Sequence, residues 1–493
     1  MASHPQAPQD APTAQNPRAT QSSAPSLAEK PEPSQPAIDP AQLVSAQRAY
    51  FDSGATLDVS GRILALQRFY DTVVAHEDGL AWAMKQDLGK SAQETYMSEV
   101  GLVLSETKYQ MAHLRRWSKP QLKTPSLINF PATSFDVPNP KGLVYVMSPW
   151  NYPVMLALEP LVGAVAAGNC VIVRPSDSAP HVGQALSSLI AEAFDPRHVA
   201  CVLGSHDIAD ALLAQPVDHV FFTGSKRVGA YVMEQAAKIH ASVTLELGGQ
   251  SPCIVCDDAH VKLAARRIVF GKFLNCGQTC VCPDYVMVAR PVHDAFVAAV
   301  KEEILRQFGE NALDNPNWGK ICKPRDYQRI LSLVDPAKVV FGGQHDDAAC
   351  RIAPIVMDDV QPADKVMSQE IFGPILPIMV FDRIDEVWSQ IRSLPTPLAA
   401  HLFTHNQQII DYFLNRLSFG SGCINDTIMQ VAVSNIGFGG NKASGLGRYH
   451  GKFSFDTFTN YKAMLKKSRF IDLPMRYQPY NSLSNAIIRL LVR

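Results

Sequence analysis

Between Lys141 and Val255 the chain alternates short apolar runs with helical stretches, and this alternation constrains the fold more than any other feature. Gly142–Met147, Cys170–Val173, Val199–Leu203 and His219–Phe222 read as strands, and Leu156–Gly168 reads as a helix between the first two. Strands apolar at every residue are buried on both faces, as in a parallel sheet covered by helices. The fold class is therefore α/β. Sheets of this kind bind ligands at the carboxyl ends of their strands. The residues that follow each strand are the first places to look for function.

Three strand ends carry suggestive residues. Ser148-Pro149-Trp150-Asn151-Tyr152-Pro153 follows the first strand, and the Asn151 amide can donate to a developing oxyanion without titrating, although an Asn in a turn also caps itself. Arg174-Pro175-Ser176-Asp177 follows the second. The third is Thr223-Gly224-Ser225-Lys226-Arg227-Val228-Gly229, a strand end opening into a helix whose first turn holds two cations against the helix dipole. Bound anion or plain solvation relieves that conflict equally well. No G-x-G-x-x-G is present, and Gly445-Leu446-Gly447 follows no apolar run.

Past these, Val243–Leu247 carries one carboxylate, Glu246, into the break Gly248-Gly249. Asn275-Cys276-Gly277-Gln278-Thr279-Cys280 then precedes the apolar run Tyr285–Val288. A thiol at a turn entering a strand is held rigidly yet stays reachable, as a nucleophile must. Further on, Ser368-Gln369-Glu370-Ile371-Phe372-Gly373-Pro374 leads into Ile375–Phe381, and Pro397–Phe403 and Ser421–Asp426 read as closing strands.

These motifs, in this order, resemble the aldehyde dehydrogenase superfamily, and within it the class 3 branch. The resemblance runs from about Ala41 to Tyr461. It implies two Rossmann-related parallel-sheet domains plus a small β oligomerisation arm. It implies catalytic roles for Cys280 as nucleophile, Glu246 as general base and Asn151 as oxyanion donor. It also implies NAD or NADP contacts at Arg174, Ser176, Asp177, Gly224, Ser225, Gly229, Gly248, Glu370 and Phe372, with no metal. The expected reaction is oxidation of medium- or long-chain aliphatic or aromatic aldehydes to acids, through a thiohemiacetal and a thioester. Glu246 separates this from transfer to coenzyme A, which needs no such base, and the presence of Cys280, Glu246 and Asn151 separates it from a non-catalytic binding protein. Arg174 and Asp177 stand where the family has Lys and Glu, which predicts that NADP is tolerated or preferred. Other departures are Gly437 for Pro, Gln250 for Lys and Cys276 for a small residue.

The expected boundaries are a disordered Ala/Pro-rich tail at 1–40, a dinucleotide-binding domain at 41–120 and 142–248, a catalytic domain at 249–431, an arm at 121–141 and 432–470, and a C-terminal tail at 471–493. Residues 41–117 carry apolar positions at helical spacing, whereas 120–140 is Pro-punctuated and extended. A formal charge of -1 and a pI near 6.9 give no reason to expect nucleic acid. Ten scattered cysteines fit a reduced, cytoplasmic protein; Cys253-Ile254-Val255-Cys256 reads as core, and Cys276 or Cys282 as a thiol able to resolve oxidised Cys280. The expected partners are a small-molecule aldehyde and a second copy of the chain, as a homodimer. The basic amphipathic segment Ala486–Arg493 is too short to span a bilayer; packing on a partner subunit or over the substrate entrance is expected in preference to a membrane surface.

Overall fold

In a computed structural model, which describes residues 39–492, the apolar runs assemble into two parallel sheets. The expected tail falls outside the described residues, except that Asp39 and Pro40 already begin the first helix. Asp39 accepts from the Ala41 N–H at 2.9 Å, capping Pro40–Asp52. Helices Val59–Ala75, Glu77–Leu88 and Gly101–Trp117 follow, the last entered through a π turn at Tyr96–Val100.

Strands are numbered along the chain. The first sheet has the order β17 (Gly445–Leu446), β7 (Ser242–Glu246), β6 (His219–Thr223), β3 (Leu143–Met147), β4 (Cys170–Arg174), β5 (Val199–Cys201). All pairings are parallel except β17 with β7, where Gly445 faces Glu246. Strands β3, β4 and β6 are buried at every residue, which is why they read as unbroken apolar runs. The helix Met155–Ala167, also buried throughout, covers this sheet. Gly168 ends it at φ 94, a left-handed conformation that a side chain resists.

The second sheet has the order β10 (Val339–Gly342), β13 (Ile355–Met357), β14 (Ile375–Phe381), β9 (Tyr285–Ala289), β8 (Pro252–Val255), β15 (Ala399–Phe403), β16 (Ser421–Ile424). Only β10 runs antiparallel. Two short strands, β11 (His345–Asp346) and β12 (Arg351–Ile352), form a separate hairpin. The third sheet is the extended excursion: β1 (Gln121–Lys123), β2 (Ala132–Pro140) and β18 (Thr459–Lys467), all antiparallel. The segment 120–140 therefore pairs with a late part of the chain, as expected. The C-terminal helix Ser482–Val492 lies against the turn Leu127–Asn129. Among the described residues no helix is long and apolar enough to cross a membrane.

Val281, Leu398 and Ala399, at the amino edge of the second sheet, pack into the core of the first. Burial of the Val281 and Leu398 side chains contributes about 1.5–3 kcal/mol each. The two sheets thus share a seam, with the carboxyl edge of one meeting the amino edge of the other. The candidate site lies along it.

Candidate active site

Cys280 sits in the loop between the helix Val261–Phe273 and β9, and the loop's backbone is unusual. Asn275 (φ 53, ψ 34) and Cys276 (φ 53, ψ 33) are both left-handed, a conformation that costs energy for residues with a Cβ. Next comes Gly277 at φ 73, where an added Cβ would lie 2.3 Å from the Gly373 carbonyl oxygen, so the Cys280 loop and the Glu370 loop touch directly.

What holds this backbone is Gln278, which is fully buried. Its Nε2 donates to the Asn275 carbonyl at 3.0 Å and the Lys320 carbonyl at 3.1 Å, and its Oε1 accepts from the Cys322 N–H at 3.0 Å. Its own carbonyl accepts from Asn151 Nδ2 at 3.0 Å and Asn275 Nδ2 at 3.2 Å. Asn275 Nδ2 also donates to the Asn151 carbonyl at 2.8 Å. The Asn151 side chain, after β3, is therefore tied to the Cys280 loop through one shared carbonyl.

A second, buried layer supports the first. Glu94 accepts from the Asn275 N–H at 2.8 Å. Lys90 donates to Glu99 at 2.6 Å, and the other Glu99 oxygen accepts from the N–H groups of Val154 at 2.8 Å and Met155 at 3.3 Å. That carboxylate satisfies donors at the start of the helix Met155–Ala167. Lys90 Nζ also stands 3.9 Å over the Tyr152 ring, and the Tyr152 hydroxyl lies 2.6 Å from Thr279 Oγ1, one residue before Cys280.

The titrating groups follow from burial. The half-buried Cys280 thiol has its pKa pushed up, first by burial and then by Glu370 and Glu246. Glu246, 2% exposed at the end of β7, has no partner for either carboxylate oxygen, and burial raises its pKa well above the usual range. Glu370 is raised to about 8 by burial and Asp284, against the Gly249 N–H, Lys226 and Arg329. It lies against Gly248, where a Cβ would come within 2.2 Å of its Oε2. Phe372 takes φ 50 and meets the Trp150 ring edge-on at 5.7 Å.

The remaining predicted residues spread along the carboxyl edge of the first sheet. Arg174, buried at the end of β4, donates to the Gly204 carbonyl at 2.8 Å and faces Asp177 at 3.9 Å, while its Nε has no partner. Ser176 Oγ accepts from the Ser178 N–H at 3.3 Å. The Gly224 N–H donates to the Glu246 carbonyl at 2.9 Å, and Ser225 Oγ caps the helix Lys226–Lys238 through the Val228 N–H at 3.4 Å. Gly229 receives Leu247, whose Cδ2 would lie 2.6 Å from a Cβ there. Gly224 and Gly229 are thus explained by packing and by the closure of β7.

Cys280, Glu246, Glu370, Gly248 and Asn151 converge on the seam, and Arg174, Ser176 and Asp177 form a second group beside β4. Cys253 and Cys256 are buried, as expected of core, and among the described residues no His, Cys, Asp and Glu group could hold a metal. Sequence reasoning missed the roles of Gln278, Lys90, Glu94 and Glu99. Gln278 at least sits inside the motif around Cys280; nothing local marks the others.

Two Rossmann-related sheets meeting edge to edge around a thiol and the unpaired Glu246 carboxylate define an α/β dinucleotide-dependent oxidoreductase. A family model described as the aldehyde dehydrogenase family matches residues 23–464. The chain is 39% identical over 435 residues to 4,4'-diaponeurosporen-aldehyde dehydrogenase of Staphylococcus aureus, covering 88% of this chain and 95% of that protein. It is 38% identical over 455 residues to aldehyde dehydrogenase family 3 member H1 of Arabidopsis thaliana, covering 91% and 94%. Among solved structures, the substrate-bound state of Staphylococcus aureus AldH matches with a TM-score of 0.90 at 38% identity, covering 92% of this chain and 99% of that one. The chain belongs to the aldehyde dehydrogenase family and is class 3-like, an NAD(P)-dependent oxidoreductase.

Proposed function

We propose that this chain oxidises medium- or long-chain aliphatic or aromatic aldehydes to carboxylic acids, with Cys280 as nucleophile and Glu246 as base. The observation that carries this reading is the desolvated, unpartnered Glu246 carboxylate, close enough to Cys280 to raise the thiol's pKa. A carboxylate stripped of water and of hydrogen bonds is a stronger base than one in solution.

Cys280, as the thiolate left when its proton is lost to solvent, attacks the aldehyde carbon to give a thiohemiacetal. Asn151 Nδ2, whose second hydrogen is free of the Gln278 carbonyl, donates to the oxygen as it becomes negative. Arg174 and Asp177 at the end of β4, Ser225 at the start of its helix, and Glu370 and Phe372 across the seam would hold NAD or NADP; the unpartnered Arg174 Nε and the Glu370 carboxyl against Gly248 fit polar ribose groups. Bound there, the nicotinamide supplies the two-electron acceptor that leaves a thioester on Cys280. Glu246 then takes a proton from water, the hydroxyl adds to the thioester carbon, and the carbon–sulfur bond breaks to release the acid.

Tyr152, Met155, Leu156, Phe270, Ile428 and Val431 belong to the same apolar cluster as Cys280, which supports an apolar substrate class. The free edge of β18 supports a homodimer, and ten unpaired thiols support a reducing, cytoplasmic setting. The three sheets support the domain and arm boundaries expected from sequence.

Rapid mixing of Glu246→Gln with aldehyde and NAD or NADP tests the division of labour. The expected result is a retained first burst of reduced nicotinamide with later turnover slowed about 10²–10⁴-fold. A burst lost together with turnover would place Glu246 before the thioester; unchanged turnover would remove it from the mechanism.

A further inference from the structure

At the edge of the first sheet opposite the seam, Lys141 closes the turn between β2 and β3, its N–H donating to the Phe458 carbonyl at 3.3 Å. Its Nζ lies 3.2 Å from His219 Nδ1 and 3.0 Å from the exposed Ser242 Oγ. Ser242 Oγ is in turn 2.8 Å from the same Nδ1, and His219 Nε2 lies 3.2 Å from Thr244 Oγ1. The neighbouring acid, Asp218, is taken up by Arg48 at 2.8 Å and by the Leu143 N–H at 2.7 Å. Among the described residues Lys141 has no ion-pair partner.

With Lys141 protonated, the hydrogen bonds set the tautomer of His219. A protonated amine only donates, so His219 Nδ1 must accept and its proton sits on Nε2, facing Thr244. His219 is buried and held well below its usual pKa by burial and by Lys141, so it stays neutral. The amine is thus half-buried, reachable beside an exposed hydroxyl, and solvated by two neutral groups with no counter-charge.

We propose that Lys141 is a nucleophilic lysine that condenses with aldehydes, the enzyme's own substrate class, at a second site remote from Cys280. The neutral amine attacks the carbonyl carbon and forms a C–N bond. The carbinolamine then loses its oxygen as water, giving an imine; no oxidant or reductant is consumed. Ser242 Oγ, exposed and 3.0 Å from the amine, is placed to relay the protons to and from water. Burial supports the availability of the neutral amine, lowering the Lys141 pKa to about 8.

The test uses the full chain without added nicotinamide, treated with hexanal and cyanoborohydride across a pH series, with the reduced adducts located by peptide mass spectrometry. Lys141 is expected to acquire the hexyl group at least ~10-fold faster than exposed Lys262 and Lys365 near neutral pH, because more of it is unprotonated. Its labelling midpoint is expected at about 8. The Lys141→Arg variant should lose this adduct and keep its aldehyde-oxidising activity. Labelling no faster than the exposed lysines, or a midpoint at the ordinary 10.5, would overturn the proposal in the wild-type protein alone.

Discussion

The two parallel sheets share a topology and use it in opposite ways. In the first, β3 has β4 and β5 on one side and β6 and β7 on the other, so the chain reverses direction between β3 and β6. A crevice opens at the carboxyl ends there, with Asn151 and Ser225 on its rim. The second sheet reverses between β8 and β15, yet its crevice is stoppered. Asp258 accepts from Thr404 Oγ1 at 2.7 and 2.9 Å and from the His405 N–H at 2.8 Å, and the Thr404 N–H donates to Asn425 Oδ1 at 3.1 Å. This sheet offers its amino edge instead: Ser251 before β8, Cys280 before β9, Glu370 before β14. Residues at a carboxyl edge sit in regular backbone, as Arg174 and Glu246 do. Those before an amino edge depend on loops that must be forced into place, as the positive φ values of Asn275, Cys276 and Phe372 show.

The sharpest way to break this contrast is to remove the chemistry from the amino edge. Cys280→Ala is expected to lower kcat/KM for aldehyde oxidation by at least ~10⁴-fold, read as reduced nicotinamide, with cofactor binding retained. Substantial residual turnover would mean that the thiol is not the nucleophile. Gln278→Ala leaves Lys320, Asn275 and Cys322 without their partner and frees the strained loop. It should cost about 10–100-fold in kcat for a misplaced nucleophile, and about 1–3 kcal/mol of stability, measured by steady-state kinetics and urea unfolding. Asp258→Asn, at the stoppered crevice, should lose a similar 1–3 kcal/mol or so in urea while kcat stays unchanged. A matching fall in kcat would show that the stopper takes part in function.

The smallest effect is electrostatic. Burial, then Asp284, holds Glu370 at about 8 instead of 4.5, so the folded chain keeps a proton that the unfolded chain releases between those values. Stability therefore falls as pH rises from about 4.5 to about 8 and levels off above that window. Thermal midpoints across this range should decline less steeply in Glu370→Gln than in wild type; parallel declines would show that the carboxyl is not held up in this way.

The same contrast explains what could be read from sequence. Leu143–Met147 and Val220–Phe222 are apolar at every residue because both faces are covered, and Glu246 stands out as the charge that ends such a run. The loops before β9 and β14 have no period to read, so Glu370 is legible only by motif resemblance, and Cys280 by its place at a turn entering an apolar run together with that resemblance. Gln278 lay within that motif, but its six hydrogen bonds involve Lys320, Cys322 and Asn151 as well as its neighbour Asn275. Lys90 and Glu99 are invisible for the same reason, since their value appears only when Val154 and Tyr152 arrive. Gly445-Leu446-Gly447 is discounted as a dinucleotide fingerprint because no apolar run precedes it, and nothing local marks Gly445–Leu446 as a strand; two residues suffice for β17 because Glu246 and Leu245 provide the template.

That short strand bears on how the protein is made. Until Gly445 and Leu446 leave the ribosome, the nascent first sheet has an open edge at Leu245 and Glu246, and the last turn of β7 has nothing to lie against. That edge of the first sheet therefore stays unpaired until the chain is nearly complete, although domains commonly fold in order during synthesis. A nonsense codon before the last tenth of the message should yield a chain whose first sheet keeps an open edge at β7, prone to pair with a neighbour.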